Sequence, residues 1–223
     1  MRQASGRSPR TLPLKERDSP VFSWSLQTFR FTLISLVLCF MGVASFARNA
    51  VWSDGVSLYE DVVRKTPNKS RAWDHLGVAF YLRSDYPNAI AAYDRAIKLD
   101  PYLSINPYRN LARLYVDIGE YDRAVQLLTW AMSIDAGNYE LYTTRGMAYH
   151  KKNEFPQAIA DFSRALDLER NNPAIYVDRG LAYEAAGRIR EAVRDFDEAC
   201  SRGRSAACEK SRALRPDGGR PWR

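Results

Sequence analysis

Few residues in this sequence combine the types and the spacing that catalysis or metal binding requires. The chain of 223 residues has two histidines, His75 and His150, and neither has a second ligand at metal-binding spacing. It has no phosphate-binding glycine loop and no nucleophile elbow. The acidic stretches ALDLE and DFDE have the density of solvated helix surface rather than of an acid–base pair. We therefore expect a protein that is not an enzyme and has no catalytic residue, bound metal or cofactor.

The net charge of +7 is concentrated at the two ends of the chain. Residues 1–30 carry six basic and two acidic side chains, and residues 200–223 carry seven basic and two acidic ones. The body between them is slightly acidic, so it has no basic face of the kind that binds a phosphate backbone. This distribution argues against nucleic-acid binding.

A repeat of 34 to 35 residues positions the side chains between residues 70 and 204. Each copy has a small residue with an aromatic residue four positions before it and another three after it. The small residues are Gly77, Ala112, Gly146 and Gly180. A later segment of each copy carries alanine, a bulky apolar residue four positions on, and alanine again. These residues are Ala89, Tyr93 and Ala96; Ala124, Leu128 and Ala131; Ala158, Phe162 and Ala165; and Ala192, Phe196 and Ala199.

These spacings place the small and large residues on one face of each of two helices. Only glycine or alanine fits where antiparallel helices approach closely, and the large side chains fill the space on either side. Gly119 and Gly187 suit the end of a first helix, and Pro87 and Pro156 suit the start of a second. No segment has the alternation of a strand, so we predict an all-α protein.

This pattern resembles the tetratricopeptide repeat, a helix–turn–helix unit of about 34 residues. The resemblance implies an α-solenoid of four units, at residues 70–103, 105–138, 139–172 and 173–204. The proline that usually closes a unit is present in the first unit as Pro101. Arg145 and Arg179 replace the usual leucine of the first helix, and we expect them to pair with acidic neighbours such as Asp161 or Asp195.

The resemblance also implies that the first helices line an inner groove that binds a segment of another protein. The inward positions are Arg71, Asp74, Val78, Tyr81, Asn106, Arg109, Arg113, Val116, Glu140, Thr143, Met147 and His150. Their charges are mixed, so the groove does not suit a strongly acidic or strongly basic ligand. Some family members clamp a C-terminal carboxylate with groove lysine, arginine and asparagine, and only Asn110 matches here. We expect another kind of protein or peptide partner; for each residue the alternative is plain solvated helix surface.

Cys200 and Cys208 lie near the end of the fourth unit. Within one helix their Cα atoms would be about 12 Å apart, too far for a disulfide. Gly203 permits a turn between them, and the spacing resembles the C-x7-C of Sel1-like repeats, where it staples successive helices. This implies a Cys200–Cys208 disulfide in an oxidising compartment; the alternative is two small buried thiols. Residues 205–214 would then form a capping helix and residues 215–223 a disordered tail.

Residues 31–47 are an uncharged stretch of 17 residues between Arg30 and Arg48, at the lower limit for a membrane-spanning helix. Six basic residues precede it and three lie in the 20 positions after it. This asymmetry predicts a cytoplasmic N-terminus and repeats on the periplasmic or luminal side. We expect a single-pass anchor preceded by a disordered basic tail at residues 1–30. The alternative is secretion after cleavage following Ala47, because Ser45 and Ala47 suit a signal peptidase.

Residues 48–69 have the pattern of a capping half-repeat. Part of this stretch resembles the junction between the last membrane helix and the repeats of multi-spanning, O-mannosyltransferase-like glycosyltransferases. The matching residues are Arg48, Asn49, Trp52, Leu58, Lys65, Pro67 and Asn68. In that family the catalytic residues belong to the membrane part upstream, so the resemblance supplies no catalytic residue here. We predict a membrane-anchored scaffold that binds a protein partner through the groove. The alternative is an accessory or truncated module of a membrane glycosyltransferase system, with a multi-spanning subunit as its partner.

Overall fold

The computed structural model describes residues 30–31, 33–34, 36–38, 40–41, 54–102 and 104–215. Between residues 54 and 215, the described part of the chain has ten α-helices and no β-strand. The helices are α1 Gly55–Lys65, α2 Ser70–Leu82, α3 Tyr86–Leu99, α4 Asn106–Asp117, α5 Tyr121–Ile134, α6 Tyr139–Lys151, α7 Phe155–Leu168, α8 Pro173–Ala185, α9 Ile189–Ser201 and α10 Ser205–Leu214.

Eight of these helices form four antiparallel hairpins: α2 with α3, α4 with α5, α6 with α7 and α8 with α9. Each first helix also contacts the first helix of the next hairpin, so that α2, α4, α6 and α8 lie side by side. The helix α1 packs against α2, and α10 packs against α9, at the two ends of the stack. The prediction of an all-α solenoid of helical hairpins is confirmed.

The turns inside the four hairpins share one backbone feature, a residue in the left-handed region. These residues are Ser84, Gly119, Asn153 and Gly187, with φ of 60°, 85°, 61° and 74°. Glycine adopts a positive φ without strain, which explains why Gly119 and Gly187 end first helices as predicted. Pro87 and Pro156 lie in the first turns of α3 and α7, as predicted, where a missing N–H removes no helix hydrogen bond.

Glycine in a first helix lies against an aromatic ring of the second helix in three of the four hairpins. A Cβ atom built on Gly77 would lie 2.6 Å from the ring of Tyr93. The equivalent distances are 2.8 Å from Gly146 to Phe162 and 2.9 Å from Gly180 to Phe196. All three contacts are closer than real Cβ atoms reach, so glycine is required wherever the facing side chain is a buried ring.

The second hairpin supplies a template for testing this packing. There Ala112 stands in place of the glycine and Leu128 in place of the ring. The Gly146→Ala variant is expected to lower the free energy of unfolding by about 1–2 kcal/mol, because overpacking outweighs the better helix propensity of alanine. The Gly146→Ala/Phe162→Leu variant is expected to recover part of this loss. Urea unfolding in mild detergent measures both, and an unchanged or raised stability of Gly146→Ala contradicts the interpretation.

Arginine takes the place of a core leucine in the third and fourth hairpins. Arg145 on α6 donates through Nε and Nη2 to the two carboxylate oxygens of Asp161 on α7, each at 2.8 Å. Its Nη1 donates to Thr129 Oγ1 on α5 at 3.0 Å. Arg179 repeats the two-bond pattern with Asp195, at 2.7 and 2.8 Å. The predicted pairs are confirmed, and Arg145 ties together three helices from two successive hairpins.

The described residues between positions 30 and 41 are helical, and their large apolar side chains are exposed. In the part of the chain that the structure describes, no helix has the length and apolar content needed to cross a bilayer. The predicted span at residues 31–47 is described only in part. Residues 1–29, 42–53 and 216–223, which include most of the two predicted tails, lie outside the described residues.

Candidate functional site

The inner face of the stack is formed by the first helices α2, α4, α6 and α8. Among the predicted groove residues, Arg71, Asn106 and Arg113 are exposed there, and Val78 is half-buried. Val116 is an exception, because it is 6% exposed and belongs to the core cluster that also contains residues of α5 and α6. The prediction of Val116 as a groove residue is therefore wrong: near the end of α4 this position faces the next hairpin.

The N-terminal part of the inner face is polar, with Asp74 at its centre. Asp74 is only 7% exposed, and its Oδ1 accepts a hydrogen bond from Asn110 Nδ2 at 2.9 Å. Burial raises the pKa of the Asp74 carboxyl group, against the lowering effect of this hydrogen bond. A cavity of about 470 Å³ opens beside the pair and is lined by Arg71, His75 and Asn106, among others. Asp74 therefore joins two hairpins and offers little surface of its own to a partner.

The middle of the inner face is tied together by contacts between neighbouring first helices. Arg109 on α4 forms an ion pair with Glu140 on α6. The hydroxyl of Tyr81 on α2 donates to Asp117 Oδ2 on α4 at 2.5 Å, and this bond raises the pKa of Tyr81. Arg113, on the exposed side of α4, forms no ion pair with any residue that the structure describes. Of the predicted groove arginines, Arg113 is thus better placed than Arg109 to meet a partner.

The predicted residues of the third hairpin are half-buried on α6. The hydroxyl of Thr143 donates to the backbone carbonyl of Glu140 at 2.9 Å, and Met147 packs against the core. Burial lowers the pKa of His150, against a raising effect of the backbone of Leu181 on α8. No group of histidine, cysteine, aspartate or glutamate within the described ranges could hold a metal ion.

The C-terminal part of the inner face is apolar, and the sequence-based prediction missed it. A cavity of about 380 Å³ opens there between α8, α9 and α10. Its lining residues are Ala174, Val177, Asp178, Leu181, Phe196, Arg204, Ala206, Ala207 and Lys210. The sequence contained the signal, because Ala174, Val177 and Leu181 lie one 34-residue period after predicted positions on α6. Continuing the inward pattern into the fourth unit would have identified them.

Asp178 is the one carboxylate that lines this cavity. It accepts no hydrogen bond from the part of the chain that the structure describes. Burial raises the pKa of Asp178 to about 6, while the charges of Arg204 and Arg113 act to lower it. Two basic residues also line the cavity: Lys210 is paired with Glu184, and Arg204 is exposed. Asp178 is therefore an acceptor held in an apolar wall without a donor of its own.

This arrangement predicts a pH-dependent effect of removing the charge of Asp178. The folded chain holds a proton on this group more tightly than the unfolded chain, so its contribution to stability falls as pH rises from about 4 to about 6. Asp178→Asn is expected to raise the free energy of unfolding by about 1–2 kcal/mol near pH 7.5 and to have a smaller effect near pH 4.5. Asp167→Asn, an exposed change on α7, is the control. An equal effect of Asp178→Asn at both pH values contradicts the interpretation.

The helix α10 forms one wall of the cavity and is held by a covalent link. The Sγ atoms of Cys200 on α9 and Cys208 on α10 are bonded, and the two Cα atoms lie 4.9 Å apart. Gly203 makes the turn between the two helices with a φ of 92°. Ala207 of α10 is buried in the same cluster as Phe196 of α9. The disulfide thus fixes the helix that closes the C-terminal end of the inner face.

Family models described as tetratricopeptide repeats match residues 45–104, 108–138 and 146–187, which together make up more than half of the chain. A crystal structure of a thermophilic tetratricopeptide-repeat protein from Thermus thermophilus superposes with a TM-score of 0.63 at 19% identity, over 78% of this chain and 95% of that one. The crystal structure of MamA gives a TM-score of 0.59 at 25% identity, over 68% of this chain and 88% of that one.

Among curated proteins, the BBSome complex member BBS4 of Xenopus tropicalis is 29% identical over 93 residues, which is 42% of this chain and 18% of the relative. The homologue from Drosophila melanogaster is 24% identical over 99 residues, which is 44% of this chain and 20% of the relative. The chain therefore matches about a fifth of the length of these relatives. Proteins built from such repeats are generally non-catalytic scaffolds. The stacked hairpins and the matches together show that the chain belongs to the tetratricopeptide-repeat family and forms a protein-interaction module.

Proposed function

We propose that the chain is a membrane-anchored scaffold that binds a protein partner through the inner face of its repeats, on the non-cytoplasmic side. The observation that carries the proposal is the division of the inner face into two parts. One part presents the exposed Arg113, and the other has an apolar cavity of about 380 Å³ with the carboxylate of Asp178 in its wall. A concave apolar site with a few placed polar groups is the usual form of a binding site.

The relatives support a role in assembly. By its name, the relative from Xenopus tropicalis is a member of a multi-protein complex, the BBSome. The inner surface of stacked helical repeats is suited to holding an extended or helical segment of another protein, because successive hairpins extend one continuous surface. The same function is proposed for this chain, with a partner of its own.

The membrane anchor is supported by the apolar stretch at residues 31–47 and the basic residues before it. The described residues of this stretch are helical and expose their large apolar side chains. The disulfide between Cys200 and Cys208 fits an oxidising, non-cytoplasmic location for the repeats. An anchored chain is expected to stay in the membrane pellet after alkaline carbonate extraction, and its release into the supernatant contradicts the anchor.

A second candidate function is that of an accessory module in a membrane glycosyltransferase system. The observation that favours it is the segment from Arg48 to Trp52, which resembles the junction between membrane helix and repeats in such enzymes. This function requires a multi-spanning subunit as the partner. Detergent extraction and co-purification that recover partners without any such subunit count against it.

The groove is tested by exchanging one charge on the inner face. Arg113→Glu is expected to reduce recovery of the partner with the tagged full chain at least about tenfold. The new carboxylate would repel any acidic group of the partner that contacts the exposed guanidinium in the unmodified chain. Arg113 is chosen over Arg109 because Arg109 is already paired with Glu140. Quantitative mass spectrometry of the purified complexes measures the change.

The matched control is Arg164→Glu, the same charge exchange at an exposed position on the second helix α7. This control is expected to recover the partner as well as the unmodified chain. Equal recovery by Arg113→Glu and Arg164→Glu would remove this part of the inner face from the interaction.

A further inference from the structure

The cavity at the C-terminal end of the inner face has the size and the walls of a side-chain pocket. Its volume of about 380 Å³ lies near the lower end of the range of ligand pockets. Six of its nine lining residues are apolar, and three of those six are alanines. The small alanines leave room beside Val177, Leu181 and Phe196, so the cavity suits a large apolar group such as an aromatic ring.

The polar groups of the cavity are not equally available to a ligand. Lys210 is held in an ion pair with Glu184, and its ammonium group lies 5.2 Å from the centre of the Phe196 ring. Asp178 accepts no hydrogen bond from the described part of the chain. The Asp178 carboxylate is half-buried in the cavity wall, so it is free to accept a hydrogen bond from a donor on a ligand.

The surrounding charges select against an ionised group in the cavity itself. A cation that approached Asp178 would also meet the positive charges of Arg113 and Arg204, both close enough to act on that carboxylate. An anion would meet the negative charge of Asp178. A neutral group with an N–H or O–H donor avoids both repulsions.

Resting on the proposed function, we infer that this cavity takes a tryptophan side chain of the protein partner, whose indole N–H donates to Asp178. Asp or Glu residues beside that tryptophan pair with Arg113 and Arg204. Tryptophan combines the largest apolar ring with a nitrogen that only donates. Both arginines are exposed and lack an ion pair among the residues that the structure describes. The partner segment is thus an acidic one with a tryptophan anchor, the residue type most often dominant at interfaces.

The chain has a competing tryptophan of its own, Trp222, seven residues beyond Arg215. An extended segment of that length spans about 25 Å, enough to reach back along α10 to the cavity. However, Arg220 and Arg223 flank this tryptophan and carry the same charge as Arg113 and Arg204. Charge complementarity therefore favours an acidic partner segment over the tail of this chain.

Fluorescence anisotropy with labelled peptides and the full chain in detergent tests the inference. The probe is a short acetylated and amidated peptide with a central tryptophan and Asp and Glu on both sides. It is expected to bind with Kd below about 1 mM. Replacing its tryptophan with phenylalanine is expected to weaken binding about tenfold or more, because the donor to a charged acceptor is lost. Replacing its acidic residues with lysine is expected to weaken binding to a similar extent.

Variants of the chain test whether the peptide's tryptophan contacts Asp178. Asp178→Leu removes the acceptor and is expected to abolish the preference for tryptophan over phenylalanine, while Glu209→Leu, an exposed change on α10 outside the cavity, is expected to keep it. Equal binding of the tryptophan and phenylalanine peptides to the unmodified chain overturns the inference, and this result does not depend on any variant. So does the absence of binding by the acidic tryptophan peptide. Tighter binding of a peptide with the sequence of residues 216–223 overturns it in favour of the chain's own tail.

The two proposals fail in different ways. If the native partner contacts the inner face but the acidic tryptophan peptide does not compete with it, the tryptophan inference fails and the proposed function stands. If the native partner contacts only the outer helices, the proposed function fails whatever the peptides do.

Discussion

Replacing Asp161 with alanine is expected to lower the free energy of unfolding by about 3–5 kcal/mol. The Asp161 side chain is 9% exposed and that of Arg145 is 18% exposed. Two hydrogen bonds of 2.8 Å join them between α6 and α7. Without the carboxylate, a mostly buried guanidinium charge would keep only its bond to Thr129. Denaturant unfolding of the chain in mild detergent, followed by circular dichroism, measures the loss.

Replacing the whole pair is expected to have a much smaller effect. One unit earlier, at positions 34 residues before Arg145 and Asp161, the chain has Leu111 and Leu127. The Arg145→Leu/Asp161→Leu variant should therefore lose less than about 1 kcal/mol or gain stability, because no buried charge remains unpaired. Asp167→Ala on the exposed side of α7 is the matched control. A loss for Asp161→Ala no larger than that of this control contradicts the role of the pair.

Removing the disulfide is the second change with a large expected effect. In the Cys200→Ala/Cys208→Ala variant, the free energy of unfolding is expected to fall by about 2–3 kcal/mol. The disulfide joins residues with a sequence separation of 8, and closing this loop restricts the unfolded chain. The loss should concentrate in α10, which is the last helix of the stack and packs against α9. Amide hydrogen exchange of residues 205–214 shows whether this helix opens before the rest of the array.

The unmodified chain supplies its own control for the disulfide. A reductant is expected to give the unmodified chain the same loss as the double variant and to leave the double variant unchanged. Because α10 forms a wall of the C-terminal cavity, reduction of the disulfide should also weaken the binding of any ligand in that cavity. A stability that does not respond to complete reduction of Cys200 and Cys208 contradicts this account of the end of the array.

The 34-residue period predicted the fold because the packing that creates it is local. Gly146 lies directly against Phe162 in the same hairpin, and the same pair of residue types recurs at Gly180 and Phe196. Such contacts fix residue types at constant spacing, so they are visible in a single sequence. The pairing of Arg145 with its aspartate was predictable for the same reason, since both partners belong to one hairpin.

The inner face was predicted less well because its contacts join different hairpins. The bonds from Asn110 to Asp74 and from Tyr81 to Asp117 cross 36 residues of sequence, and no spacing rule indicates which inward side chains meet. Val116 was misplaced because a helical period alone does not separate the open surface from the contact with the next hairpin. The apolar end of the face was missed for a simpler reason, because the inward pattern was not continued into the fourth unit.

Photo-crosslinking from the inner and outer faces of the array locates the bound partner. Benzoylphenylalanine is placed at Thr143, half-buried on the inner helix α6, or at Arg164, exposed on the second helix α7. The full chain is then irradiated in membranes, and crosslinked proteins are identified by mass spectrometry. We expect one partner to be crosslinked from position 143 and not from position 164. Crosslinking of the partner from position 164 alone would contradict the proposal that the inner face is the binding site.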